Sequence, residues 1–230
     1  MKVSVLMATY NRAELMERAI KSFLTQDYEL CNLIILNNGS TDKTRIILNK
    51  YAEHPGITIH HVKENILPPA NYNWLWDKAD GELICQLHDD DELTKDSISL
   101  RVKKFKDNPS LQVVYGGYLV HNINGEDVYE RKAIPPDKNL IFEKEYINFV
   151  TMMYRRNLPI RFDTDLVFYC DWLFKIRCLN EYNVSYVAEP VIKYTVHRGQ
   201  ESNRCKREER GIVEEKLMRD KLLLSGYESN

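Results

Sequence analysis

Three consecutive carboxylates, Asp89, Asp90 and Asp91, with Glu92 behind them, are the residues most able to do chemistry. Like charges this close make one another costly to ionise, so something must neutralise them. A hard divalent cation does so, and Mg2+ or Mn2+ is held by one or two carboxylates together with phosphate oxygens and water. The alternative is a solvated acidic turn whose aspartates cap the next helix. Position favours the cation: the cluster directly follows the apolar run from Leu83 to Leu87, at a strand end, where parallel sheets bind ligands. The phosphate partner is narrowed by what is missing. There is no GxxxxGK[ST] loop and no GxGxxG after the first strand, which removes ATP hydrolysis and nicotinamide redox chemistry. A nucleoside diphosphate neutralised by a metal remains.

The elements that must position this cluster alternate. Val3 to Ala8 is a continuous apolar run, as in a strand buried on both faces. A helix should follow, capped by Asn11 with Glu14 completing a capping box, and carrying Leu15, Met16, Ala19, Ile20, Phe23 and Leu24. Leu33 to Leu36 reads as a second strand. The turn Asn38-Gly39-Ser40-Thr41-Asp42 then leads into a helix with Ile46, Ile47 and Tyr51. Ile57 to Val62 is a third strand, Pro69 to Ala79 a helix, Leu83 to Leu87 a fourth strand and Asp96 to Asp107 another helix. This order predicts an α/β fold, a mostly parallel sheet with helices on both faces. Thr9-Tyr10-Asn11, Asn37-Asn38-Gly39 and the acidic cluster all follow strands and should share one crevice.

After residue 110 the pattern changes. Val113 to Val120 and Val128 to Arg131 flank Asn122-Ile123-Asn124-Gly125, an antiparallel hairpin with an Asn-Gly turn. Helices are expected over Glu143 to Val150 and Tyr169 to Glu181, the latter with Trp172, Leu173, Ile176 and Leu179 on its apolar face, and strands over Val184 to Val187 and Val191 to Val196. Lys206 to Leu224 is amphipathic through Ile212, Leu217 and Leu224 and should pack on the domain as a terminal helix; Glu208, Glu209, Glu214 and Glu215 argue against a basic membrane-surface helix.

Composition bounds the partners. The 230 residues are 43% hydrophobic and 29% charged, enough for a sizeable core. A net charge of -2, from 32 Lys and Arg against 34 Asp and Glu, argues against a nucleic-acid partner, which needs a basic face. Mean hydropathy is -0.46, and no segment approaches the roughly 18 apolar residues of a membrane span. Cys31, Cys85, Cys170, Cys178 and Cys205 are odd in number and lack zinc spacing, which fits reduced thiols in a cytosolic protein.

Taken in order, Ser4 to Arg12, Asn37 to Asp42, Gly81-Glu82-Leu83-Ile84 leading into Asp89-Asp90-Asp91, then Tyr154-Arg155-Arg156, Phe162-Asp163, Asp171-Trp172 and Tyr194 to Ser202 with His197 resemble the family 2 glycosyltransferases. The resemblance implies a GT-A, Rossmann-like fold: a mixed, mainly parallel sheet flanked by helices in a single compact domain. Residues 1–110 would bind a nucleoside-diphosphate sugar, and 111–230, ending in a C-terminal helix, would bind the acceptor. It implies an inverting transfer to a hydroxyl of a glycan or lipid-linked acceptor, with Mn2+ or Mg2+ as cofactor. Asp171 would be the general base. Asp90, Asp91 and His197 would serve the metal, with Asp89 on the ribose or the metal. Thr9, Tyr10, Asn11, Arg12, Asn38 and Asn71 would hold the donor. The product would be a cell-surface or secreted glycan, built by a cytoplasmic enzyme with transient contact at the inner membrane face.

Several positions depart from the family pattern. Asn37 and Asn38 stand where two aspartates are usual, which leaves the base open among uracil, thymine and cytosine. His88 replaces the aspartate that often opens the acidic motif, and Cys170 replaces the glutamate before Asp171. Ala70-Asn71 takes the place of an Arg-Asn pair, so positive charge for the diphosphate has to come from Arg12, Lys43 or Arg198. Two other classes compete with the transferase: a non-catalytic nucleotide-sugar or glycan-binding module that lost activity through Asn37, Asn38 and Cys170, and a nucleotidyltransferase. The last needs a basic Gly-rich loop after the first strand, where this chain has Asn11 and Arg12.

Overall fold

The computed structural model describes residues 1–200 and 209–227. The first half alternates as its apolar runs require: β1 (Val3–Thr9), α1 (Ala13–Leu24), β2 (Cys31–Asn38), α2 (Thr44–Asn49), β3 (Ile57–Val62), α3 (Ala70–Lys78), β4 (Leu83–Gln86), then a two-residue β5 (Glu92–Leu93) and α4 (Ser97–Asp107). The second half holds β6 (Val113–Asn122), β7 (Asp127–Arg131), α5 (Lys138–Glu143), a 3-10 turn over Phe149–Thr151, β8 (Met153–Arg155), α6 (Cys170–Glu181), β9 (Val184–Val196) and a C-terminal α7 (Glu209–Leu224).

Among the described residues, nine strands join one mixed sheet in the order β3-β2-β1-β4-β8-β6-β9-β5, with β7 on β6. β1, β2, β3 and β4 are mutually parallel, and β6 runs parallel to β9. The short β8 lies antiparallel to both β4 and β6 and thereby fuses the two halves into one sheet. Alternate residues serve opposite faces, as the pleat dictates. Val3, Val5, Met7, Leu33, Ile35, Leu83 and Cys85 pack on the side of α1 and α4, whereas Leu6, Ile34, Leu36 and Ile84 pack on the side of α3 and α6. Both faces are covered, which is why these strands read as nearly continuous apolar runs, with Ser4 and Gln86 buried among them.

Some local expectations are corrected. Asn11 does not cap α1: it adopts φ 51, and its Oδ1 accepts from the amides of Thr41 and Asp42. Asp42 accepts from Ala13 N instead, so the helix end is closed from the neighbouring turn, and the capping box with Glu14 does not form. α2 ends at Asn49, leaving Tyr51 outside it, and Ile46 is exposed. No helix spans Glu143 to Val150. Asp137 caps α5 through the amides of Asn139 and Leu140, and Asn148 starts the separate 3-10 turn, so Lys144 to Asn148 is left as a connector. The two C-terminal strands are one, β9, whose register against β6 shifts around Gly116 and Gly117. The hairpin forms as its Asn-Gly turn requires, with Gly125 at φ 84.

α7 packs on the domain, but through a rotated face. Met218 and Leu222 are buried together with Glu214, while Ile212 and Leu224 point outward. Polar anchoring explains the rotation: Glu214 accepts from Phe168 N, and Lys221 binds Asp163 and Asp165. Cys205, Ser202 and the Lys206 to Glu208 start expected for this helix lie outside the described residues, and the four described cysteines are free thiols. Among the described residues no helix is long and apolar enough to cross a membrane.

Gly81 carries the tightest backbone approach at the β4 entrance. A Cβ there would meet Ser4 N at 2.6 Å and the carbonyl oxygens of Leu83 and Lys2 at 2.9 Å, all backbone atoms of β1 or β4 and their flanks. Gly125 has open space around it and a strained φ only. Gly81→Ala is therefore expected to cost about 3 kcal/mol, and Gly125→Ala about 1 kcal/mol, read from urea midpoints. Equal losses would show that the close approach does not hold β4 against β1.

Candidate active site

The order of the first strands makes β1 and β4 neighbours, with the chain leaving β1 towards β2 on its other side. That is the switch point at which parallel sheets open a crevice. A cleft of about 700 Å³ lies there, walled by Thr9, Tyr10 and Arg12 after β1, Asn38 after β2, Asn71 of α3, His88 to Asp90 after β4, and Asp171 with Trp172 at the start of α6.

The acidic turn is held from several sides. Arg12 Nη1 donates to Asp90 Oδ2 at 2.8 Å, and His197 Nε2 lies 3.0 Å from the same oxygen. Arg12 Nη2 also donates to Gly199 O at 2.7 Å, so one guanidinium ties the β1 turn, the acidic turn and the segment after β9 together. Asp91 faces away from solvent. Its Oδ1 accepts from Thr195 N at 2.9 Å, while its buried Oδ2 has no hydrogen-bond partner and lies 3.8 Å from His88 Nδ1. The bond to β9 removes the helix-cap alternative for Asp91, since α4 starts after Asp96. One ligand atom each from His88, Asp90 and Asp91 lie within 4.8 Å of one another. Two carboxylates, one of them with an orphaned buried oxygen, and one imidazole are a donor set suited to a divalent cation.

The electrostatics follow from crowding. Burial, then the charge of Asp90, pushes the Asp89 carboxyl up to about 7, against the pull of Arg12. Burial and the same neighbour raise Asp91 well above the usual carboxylate range. Burial also opposes the charge on Asp90, but His88, Arg12 and His197 outweigh it and hold its carboxyl low. His88 is lowered, chiefly by burial.

Asp171 sits in the first turn of α6, where the helix dipole favours a carboxylate. It does not cap the helix; its Oδ2 lies 3.0 Å from Lys175 Nζ, one turn on. Lys175 is fully buried and also bonds Glu145 from the connector before the 3-10 turn. Trp172, expected beside Asp171, directs its indole N–H to Ile141 O at 2.7 Å.

The donor-side residues are less uniform than the sequence suggests. Thr9 is buried at the strand end, and Tyr10 is 43% exposed in the cleft wall, open to stacking rather than packed beneath the crevice. Asn11 is not part of the wall; it orders the β2–α2 turn. Asn38 donates through Nδ2 to Asn65 Oδ1 and Ile66 O and accepts from Ile66 N, closing the loop after β3 over the end of β2. Only an amide can make all three bonds, which accounts for asparagine at this position. Asn71 donates to Ile66 O, leaving a buried Oδ1 that can only accept. Sequence reasoning missed His88 as a candidate ligand and missed the Glu145–Lys175 pair entirely. The four-residue spacing of Asp171 and Lys175 was a readable signal; nothing local marked Glu145.

A family model described as Glycosyl transferase family 2 matches residues 4–177. The GalNAc(5)-diNAcBac-PP-undecaprenol beta-1,3-glucosyltransferase of Campylobacter jejuni is 31% identical over 151 residues, covering 64% of this chain and 47% of that protein. The crystal structure of S. aureus TarS 1-349 in complex with UDP-GlcNAc superposes with a TM-score of 0.71 at 22% identity, over 87% of this chain and 60% of that one. The mannosyltransferase PcManGT from Pyrobaculum calidifontis, in complex with GDP-Man and Mn2+, gives a TM-score of 0.67 at 20% identity, over 90% and 60%. The two structures share the fold, and the chain spans less than two thirds of each of these three proteins.

Crowding at the acidic turn predicts a pH dependence. The folded state holds the Asp89 proton up to about 7, whereas the carboxyl titrates near its ordinary 3.8 when unfolded. Its contribution to stability is thus full below that lower value and is lost as the pH rises through about 7. In the presence of a chelator, Asp89→Asn should raise the melting temperature at pH 8 by a few degrees and flatten its decline between about pH 5 and 8. An unchanged slope would show that Asp89 does not carry the buried proton.

Proposed function

The chain belongs to glycosyl transferase family 2, and from that premise we propose that it moves a sugar from a nucleoside-diphosphate sugar to a hydroxyl of a glycan or lipid-linked acceptor, with inversion and with the help of a divalent cation. The observation that carries this reading is the meeting, in one cleft, of Asp89 and Asp90 of the acidic turn with Asp171 on a separate helix. Residues 1–110 then form the donor half and 111–230 the acceptor half.

The chemistry assigns itself to the two walls. Tyr10 offers an aromatic face to the base. Thr9, Asp89 and the acceptor-only Oδ1 of Asn71 suit ribose or sugar hydroxyls, because a diphosphate has no proton to give Asn71. Arg12, whose guanidinium bonds Asp90, suits the diphosphate. Asp90 and Asp91 with His88 or His197 would hold Mn2+ or Mg2+, which supplies Lewis-acid stabilisation of the departing diphosphate. Asp171 removes the proton of the acceptor hydroxyl as it attacks the anomeric carbon. One displacement by one hydroxyl inverts that carbon. Support for the donor class comes from the UDP-GlcNAc and GDP-Man complexes of the similar folds, and for a lipid-linked acceptor at a membrane surface from the undecaprenol-linked substrate in the name of the Campylobacter relative.

Release of nucleoside diphosphate from UDP-GlcNAc, UDP-glucose and GDP-mannose, with Mn2+ and a panel of glycan and polyprenyl-diphosphate acceptors, tests the reading. Asp90→Ala and Asp171→Asn are each expected to lower turnover about a hundredfold or more. Turnover that survives both substitutions would remove the assignment.

A further inference from the structure

Lys175 is an ammonium with no exposed surface, placed between two carboxylates that line the cleft. A buried cation of this kind is costly unless paired, and nothing in the packing of α6 demands a lysine on its inward face. Its two partners reach it from different elements. Asp171 lies one turn earlier on α6. Glu145 comes from the connector between α5 and the 3-10 turn, which is fixed by Tyr146, whose hydroxyl accepts from Asp137 N, and by the buried Ile147.

We infer that Lys175 is a positioning residue for the base Asp171, and that Glu145 keeps the lysine paired when Asp171 takes up the acceptor's proton. The inference rests on the reading of Asp171 as base. Before transfer, two carboxylates surround one ammonium. The acceptor O–H bond then breaks, its oxygen bonds the anomeric carbon, the diphosphate leaves with the electrons of the glycosidic bond, and the proton goes to Asp171. Asp171 is now neutral, and with Asp171 alone as partner Lys175 would be stranded in a buried setting. Glu145 prevents this, so neutralising the base does not orphan a charge. The lysine also fixes the orientation of the base through a charge-assisted bond across one helical turn.

The charge states agree with this arrangement. Burial works against the Lys175 ammonium, but Asp171 and Glu145 outweigh it and raise its titration. Burial raises Glu145, with Lys175 opposing. The other titratable groups that feel the charge of Asp171 are Cys170 on the same helix, Tyr72 of α3 and His88 after β4. Burial keeps the thiol and the phenol protonated and lowers the imidazole, so none of the three replaces the ammonium near neutral pH.

The test reads the carboxyl directly and needs no donor. Protein labelled with carboxyl-13C aspartate is titrated by NMR between about pH 4 and 9, with the Asp171 signal assigned by its loss in Asp171→Asn. In Lys175→Met, two carboxylates face each other without a cation, and the Asp171 midpoint should rise by about one pH unit or more. In Glu145→Gln, at a partly exposed residue whose change the fold tolerates, the midpoint should fall, because the lysine then has one charged partner. Loosening of the fold would not move the two variants in opposite directions. A midpoint unmoved in Lys175→Met, or moved the same way in both, overturns the proposal. With UDP-GlcNAc or GDP-mannose as the turned-over donor, Lys175→Met should lower kcat about tenfold with the donor KM within about twofold. Loss of turnover in Asp171→Asn alone, with Lys175→Met unaffected, sinks the positioning role and leaves the base. Full turnover in Asp171→Asn sinks the base and this inference with it.

Discussion

Three aspartates in a row at the end of a buried strand cannot all stay charged without counter-charge, and the chain brings that counter-charge from places far apart in sequence. Arg12 reaches Asp90 from the turn after β1, and His197 reaches it from beyond β9. Thr195 N, on β9 itself, holds Asp91. The strand order that puts β1 beside β4, and the antiparallel seating of β5 on β9, are therefore the conditions under which the acidic turn can exist in the wall of a cleft. Burial and the neighbouring Asp90 charge still raise the carboxyls of Asp89 and Asp91 above their ordinary range.

The opposite wall repeats the logic with the sign reversed. There the buried charge is an ammonium, and two carboxylates come to it, one from its own helix and one from the connector before the 3-10 turn. Both clusters join segments that a single element could not join. The short β8 matters for this reason: by bridging β4 and β6 it fixes the strands of the first half against the elements of the second. α7 adds a clamp of its own, since the buried Glu214 binds the amide of Phe168 just ahead of α6.

Much of this was legible before folding, and the reasons are local. Nearly continuous apolar runs identified β1, β2 and β4 because strands buried on both faces have few polar positions. Helical spacing identified α1 and α6, and the Asn-Gly turn identified the hairpin. Elements of two or three residues carry no period, so β5 and β8 left no trace in the sequence. The helix expected over Glu143 to Val150 does not form because the Asp137 cap starts α5 earlier, ending it at Glu143, and Asn148 caps a separate 3-10 turn. Asn11 looked like a cap by its position and proved to be a tie to the next turn, a choice made by a neighbour thirty residues on.

By itself, then, the sequence determined which strands are buried, that the acidic turn ends one of them, and that Asp171 opens a helix, because each of these is written in the order and spacing of adjacent residues. Only the tertiary structure decided which atoms meet: that Arg12 and His197 share one oxygen of Asp90, that Asp91 turns inward to β9, that Asn38 closes a loop, and that Glu145 completes the pair begun by Asp171 and Lys175. The physical reason is that charge and hydrogen bonding are satisfied across space. A buried carboxylate takes whichever partner the packing of the sheet brings within reach, however distant that partner is along the chain.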